Sequence, residues 1–124
     1  MKYSSTAPVK IVVIGAGGTG GYVIPHLYRL GYASHRYVRI IVCDGDVVEE
    51  KNLIRQNFVQ QDIGRNKAQV QAERYSAAFG IECEYKPDFI ENDEELFKLT
   101  SPDFYARPNS GVPETQKVII FLTL

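Results

Sequence analysis

Only two cysteines, Cys43 and Cys83, occur in the 124 residues, and neither belongs to a CxxC pair. That spacing gives no support to a structural zinc site or a disulfide scaffold, and a chain without either is expected in the cytoplasm. An excess of charge of one sign is lacking too: 14 Lys and Arg stand against 15 Asp and Glu, a formal net charge of -1. With no long basic run either, the chain has no electrostatic footprint for a phosphate backbone, and nucleic acid is not expected as a partner. Long apolar runs are missing as well. The N-terminal MKYSSTAPVK has no apolar signal core, and the longest runs, Ile11 to Ile14 and Val118 to Leu122, fall far short of the roughly 20 residues that cross a bilayer. Neither secretion nor a membrane partner is expected. No internal repeat or low-complexity stretch is evident.

What the chain has is a 44% apolar fraction at a length that suits one folding unit over residues 1–124. Val9 to Ile14 is a β-branched run that ends at GAGGTGG, after which Val23, Leu27 and Leu30 fall at helical spacing up to Gly31. This order predicts strand, glycine turn, helix. A second β-branched run, Tyr37 to Cys43, ends at Asp44, and the crossover between the two strands is too long for a hairpin, so they should pair in parallel. Pro25 should kink this helix if it falls beyond the first turn.

Segment 44–65 is polar and irregular. From Asn66 onward Ala68, Ala72, Tyr75 and Phe79 share one face of a helix that Gly80 should cap. Ile81 to Tyr85 alternates like a third strand, and Asp93, Glu94 and Glu95 place negative charge at the start of a short helix over Asn92 to Leu99. Ser101 to Gln116, with three prolines and Gly111, has no usable periodicity and is expected to be a flexible loop, either a lid or a disordered insertion. VIIFLTL at the end resembles a central strand of a parallel sheet covered on both faces. These elements predict an α/β, Rossmann-like fold with a mainly parallel sheet and helices on both faces, shortened after the fourth strand. An uncovered apolar strand at that point is an association liability, so a homodimer is expected.

The motif with the clearest chemistry is Gly15-Ala16-Gly17-Gly18-Thr19-Gly20, placed between strand and helix. In that context Gly15 permits the tight turn, Gly17 lets backbone approach a phosphate, and Gly20 lets helix and strand pack closely. Asp44, at the end of the second strand, suits the hydroxyls of a ribose. No basic residue stands near it for a 2′-phosphate. To this point NAD and ATP are indistinguishable. His26 and His35 have no acidic or cysteine partner at ligand spacing and are expected to be packing or surface residues, while Cys43 and Cys83, read in the second and third strands, are expected to be inert core residues.

The next stretch separates the two nucleotides. Asp44-Gly45-Asp46 is followed by Asn52-Leu53-Ile54-Arg55-Gln56 and then by Gly64-Arg65-Asn66-Lys67. The ordered set G-x-G-G-x-G, D-x-D, N-x-x-R-Q and G-x-x-K resembles the ThiF/MoeB/HesA adenylating family, whose fold is shared with ubiquitin-activating enzymes. The resemblance implies Mg-ATP as cofactor and adenylation of the C-terminal carboxylate of a ubiquitin-like or sulfur-carrier protein, with release of pyrophosphate. It assigns Gly15, Gly17, Gly18 and Gly20 to the nucleotide loop, Asp44 to the ribose, and Asn52, Arg55, Gln56 and Lys67 to the polar set around the phosphates. Asp46 matches the second acid of D-x-D. Attack of a carboxylate on the α-phosphorus brings two anions together, so Arg55 and Lys67 are the expected catalytic cations, and the partner's carboxylate is itself the nucleophile.

The match is good over residues 9–80 and poorer beyond. The family places a magnesium-binding aspartate after the fourth strand, in T-D-N or V-D-N; here the stretch reads VIIFLTL and ends at Leu124, so no residue of this chain is expected as a metal ligand. The family's later CxxC pairs, its downstream catalytic cysteine and the basic N-terminal arm of some dimeric members have no counterpart. Catalytic competence is therefore left open, and two alternatives stand beside the adenylating domain. One is an NAD-binding oxidoreductase domain, which leaves Asn52, Arg55 and Lys67 without a role. The other is a non-catalytic dimerisation or partner-binding module built on the exposed last strand.

Overall fold

The computed structural model describes residues 7–106 and 115–123. Four strands, β1 (Val9–Ile14), β2 (Val38–Cys43), β3 (Tyr85–Lys86) and β4 (Lys117–Leu122), form one parallel sheet in the order β3-β2-β1-β4. Three helices connect them: α1 (Gly18–Ala33), α2 (Lys67–Phe79) and α3 (Asp93–Thr100). The period-2 alternation of a strand sorts its residues between two faces. Val9, Ile11 and Val13 of β1 join Ile40 and Val42 of β2 under α1 and α2, where Ile24, Leu27, Tyr28, Ala68 and Ala72 complete the core. On the opposite face Val12, Ile41 and Cys43 meet Leu99 of α3.

Lys10 also points to that second face and is only 2% exposed. Its ammonium donates to Ser101 O and to Asp103 Oδ1, each at 3.0 Å, and Asp103 accepts from Arg39 Nη1 at 2.8 Å as well. Gln116 closes the group, donating from Nε2 to Asp103 Oδ2 at 3.2 Å and accepting from Asp103 N at 2.7 Å. Burying an ammonium is costly unless it is paired and hydrogen-bonded, and this network supplies both.

The helix ends are set locally. Asn66 caps α2 by accepting from Gln69 N at 2.9 Å, Gly80 ends it at φ 67°, and Asn92 caps α3 by accepting from Glu95 N at 2.8 Å. Segment 44–65 is neither strand nor long helix, but two 3-10 turns, Glu50–Ile54 and Gln60–Asp62, shape it.

Two expectations change. The strand anticipated over Ile81 to Tyr85 shrinks to Tyr85–Lys86, because Ile81 belongs to the stop of α2. Its N–H donates to Ser76 O at 3.1 Å and its side chain packs against the core, the contact that often follows a glycine-terminated helix. Among the described residues β4 is an edge strand rather than a central one. It pairs only with β1, and Ile119, Ile120 and Leu122 are exposed, the last at 71%. The proline-rich connection is pinned at both described ends: Gln116 N donates to Phe104 O at 3.2 Å and Ala106 N to Thr115 Oγ1 at 2.8 Å. The rest of that expected loop, residues 107–114, lies outside the described residues, as does Leu124. Among the described residues no helix is long and apolar enough to cross a membrane.

Candidate functional site

Parallel register brings the carboxyl ends of the three long strands to one edge: Ile14 faces Cys43 on one side and Leu122 on the other. In open parallel sheets ligands bind outside that edge, where the strand order reverses. A cleft of about 400 Å³ lies there. Gly15, Gly17, Gly18, Asp44, Asp46, Gln56 and Lys67 all line it, although the sequence spreads them over more than fifty positions.

The glycine loop is shaped by close contacts. Gly15 has φ +104°, and a Cβ there would stand 2.1 Å from Thr123 Oγ1. That hydroxyl donates to Gly15 O at 3.0 Å, so the end of β4 fastens the loop that follows β1. Gly20 is equally constrained, since its Cβ would meet Gly15 O at 2.0 Å. At the start of α1 the N–H groups of the first turn have no intrahelical acceptor, and Gly17 and Gly18 at that end line the cleft.

Asp44 holds this loop from the other side. One carboxylate oxygen accepts from Ala16 N and the other from Asp46 N, both at 2.8 Å. A carboxylate offers about four acceptor positions, so each oxygen keeps capacity for a further donor. Lys67 opens α2 with its side chain buried in the wall of the cleft, and its Nζ comes no closer than 3.9 Å to Asp46 Oδ2, which is itself largely solvated. Gln56 lies over Gly17, where a Cβ would come 2.6 Å from Oε1, and that buried oxygen has no hydrogen-bond partner. A buried unpaired acceptor is uncommon and marks a place where a donor is wanted.

Two residues of the N-x-x-R-Q motif stand apart from the cleft lining. Asn52 is spent on the first 3-10 turn, accepting from Glu49 N at 2.8 Å, and Arg55 is an exposed residue at the end of that turn. Gly20 is buried behind the loop as a packing position. Residues that sequence reasoning did not assign also line the cleft: Cys43, Asp88, Phe89, Ile90 and Thr123. Burial pushes the Cys43 thiol up to about 11, which keeps it protonated near neutrality.

Asn66 went unassigned as well, though its helix-capping signal was visible. Its Nδ2 donates to the carbonyls of Asp44 at 2.8 Å and of Asp46 and Pro87 at 3.3 Å. It therefore joins the D-x-D turn to the segment after β3. Among the described residues no group of three or more His, Cys, Asp or Glu side chains could hold a metal ion.

The glycine loop, the Asp44 carboxylate and the buried Lys67 thus meet at the carboxyl edge of a parallel sheet, and comparison with known proteins finds relatives of the chain. Over 71 residues the chain is 38% identical to the NEDD8-activating enzyme E1 catalytic subunit of Saccharomyces cerevisiae, covering 56% of this chain and 22% of that protein. It is 27% identical to the ATP-dependent ubiquitin transferase-like protein Cap2 of Enterobacter hormaechei, with 93% of this chain and 20% of that protein covered. The chain thus spans about a fifth of the length of these two relatives. The crystal structure of E. coli MccB with ATP superposes with a TM-score of 0.60 at 26% identity, over 83% of this chain and 30% of that one. The sequence model of the ThiF family matches residues 3–105, and the chain belongs to that family.

Proposed function

We propose that this chain carries the ATP-binding part of a ThiF-type adenylating site. The observation that carries the reading is the cleft itself, where glycine-loop N–H groups, the Asp44 carboxylate and the buried Lys67 ammonium converge on a space of nucleotide size. Lys67 has spare donors and only a distant, solvated counter-ion, which suits it to a phosphate. The unpaired Gln56 oxygen suits a donor brought by a ligand or its water shell. Arg55 is exposed and outside the cleft lining, one residue before Gln56, and would have to swing in to serve as a second cation for charge that develops when a carboxylate attacks the α-phosphorus. ATP supplies the adenylyl group and pyrophosphate leaves. The protein holds the phosphates and screens the two anions from each other.

The relatives support a class of acceptor. A NEDD8-activating subunit and a ubiquitin transferase-like protein appear among the sequences, and one MccB structure is in complex with N-formylated MccA. The carboxylate acceptor proposed here is accordingly the C-terminus of a ubiquitin-like or sulfur-carrier protein, taken up by a homodimer in the cytoplasm. Magnesium would arrive with the triphosphate.

Calorimetric titration of the purified chain tests the reading. ATP should bind more tightly than NAD, and Lys67→Met, which keeps the bulk of the side chain, should weaken ATP by about ten-fold, the loss of one charge-assisted contact. Equal affinity of the Lys67→Met variant for ATP, or a preference for NAD, would sink it.

A further inference from the structure

The D-x-D turn contains a glycine that its backbone does not require. Gly45 lies outside the left-handed region, so its conformation alone would accept a side chain. What excludes one is an aromatic ring. A Cβ at Gly45 would stand 2.4 Å from Cδ2 of Phe89 and 2.7 Å from its Cγ. The ring therefore rests directly on the turn whose first residue, Asp44, holds the glycine loop.

Phe89 is not a core residue. It is 57% exposed and borders the cleft, whereas an aromatic side chain that merely fills a domain is normally buried. Its seat is registered from behind by backbone: Asp44 N donates to Lys86 O at 3.1 Å, and Asn66 joins the carbonyls of Asp44, Asp46 and Pro87. The ring so positioned lines, with Ile90, the same cleft as Gly17, Asp44, Gln56 and Lys67. A nucleotide likewise joins charged phosphates and a ribose to a flat base whose faces take an aromatic ring.

We infer that Phe89, seated on Gly45, is the stacking platform for the base of the bound nucleotide. The inference rests on the nucleotide-site reading above and adds to it the residue that selects a base-bearing ligand over a bare polyphosphate. A phenyl ring has no donor or acceptor with which to read a base edge, so its contribution should be shared by ATP and GTP. Any discrimination between those two would come from other groups.

Calorimetry on the unaltered chain and on Phe89→Ala, Phe89→Leu and Phe89→Tyr, with ATP and with inorganic tripolyphosphate, tests it. Phe89→Ala should weaken ATP by about ten-fold, the loss of one aromatic–base stack, while tripolyphosphate affinity and the melting temperature of the ligand-free chain stay unchanged. Phe89→Tyr should retain ATP affinity and Phe89→Leu should not. ATP binding that is unchanged or tighter in Phe89→Ala would overturn the inference, because the ring would then be idle or in the way. So would a parallel loss of ATP and tripolyphosphate, or full retention by Phe89→Leu, either of which would give the ring a merely structural role. Failure of the unaltered chain to bind either ligand would instead overturn the nucleotide-site reading itself, and this inference with it.

Discussion

Cys43 and Cys83 have the same side chain and opposite fates, because one is fixed in a buried strand and the other is exposed after α2. A thiolate is the reactive form, and burial holds the Cys43 thiol at about 11. Iodoacetamide at neutral pH should therefore label Cys83 in the native chain and leave Cys43 untouched until denaturant is added, a difference that peptide mass spectrometry reads directly. Rapid native labelling of Cys43 would contradict its placement. At this scale the polar residues of the cleft also differ in how much of them is committed. Asn52 is consumed by a local cap, whereas Lys67 and Gln56 keep unpaired capacity.

Between elements the informative residue is Pro25. Proline in a helix interior removes the N–H that would serve the carbonyl four residues back, here Gly21 O. The orphaned carbonyl is not left empty. Asn57 donates to it from Nδ2 at 3.1 Å, and the same amide donates to Tyr75 Oη of α2 at 2.9 Å. Gln71 adds a third tie, donating to Asn57 O at 3.2 Å. The proline thus makes a docking point for the segment that places Gln56 over Gly17. Asn57→Ala should cost about 1–3 kcal/mol, the penalty for a buried carbonyl without its donor. Pro25→Ala restores an N–H at that position, so the double variant should lose less than the sum of the single ones, by about 1 kcal/mol in a denaturation cycle. Strict additivity would show that the two residues act independently.

Across the whole molecule, the second face of the sheet adds a charged network to a small apolar cluster, where the first is held by packing. Burial of Asp103 opposes its ionisation, but hydrogen bonds from Arg39, Lys10 and Gln116 outweigh it and hold the carboxyl below the ordinary aspartate range. A group depressed in the folded state contributes stability that is present above its unfolded pKa and is lost as pH falls through the folded value. Stability should accordingly decline below about pH 4, the unfolded aspartate value. Asp103→Asn should flatten that part of the curve. It should also cost on the order of 2 kcal/mol at neutral pH, below the full value for breaking a buried pair because Asp103 is partly solvated. Urea denaturation of both chains between pH 2 and 7 gives the comparison. Identical acid limbs would remove Asp103 from the account.

Much of this molecule was determined by short stretches of sequence, because the responsible forces act over a few residues. The β-branched run Val9 to Ile14, the glycine turn after it, the Asn66 and Asn92 caps and the Gly80 stop are all local, and each element they mark stands where it was read. Ile81 was misread because one apolar residue after a helix looks the same whether it begins a strand or closes the helix. The last strand was misread for another reason, since six apolar residues in seven describe a strand without saying what covers it. What tertiary structure alone decided are the contacts between distant positions: Thr123 on Gly15, Asn57 on Gly21, Gln56 on Gly17 and Phe89 on Gly45. No periodicity links such pairs, for they meet only once parallel register has brought the strand ends to one edge. Close approach at Gly15, Gly17 and Gly45 then depends on the glycine, which leaves room where a side chain would collide.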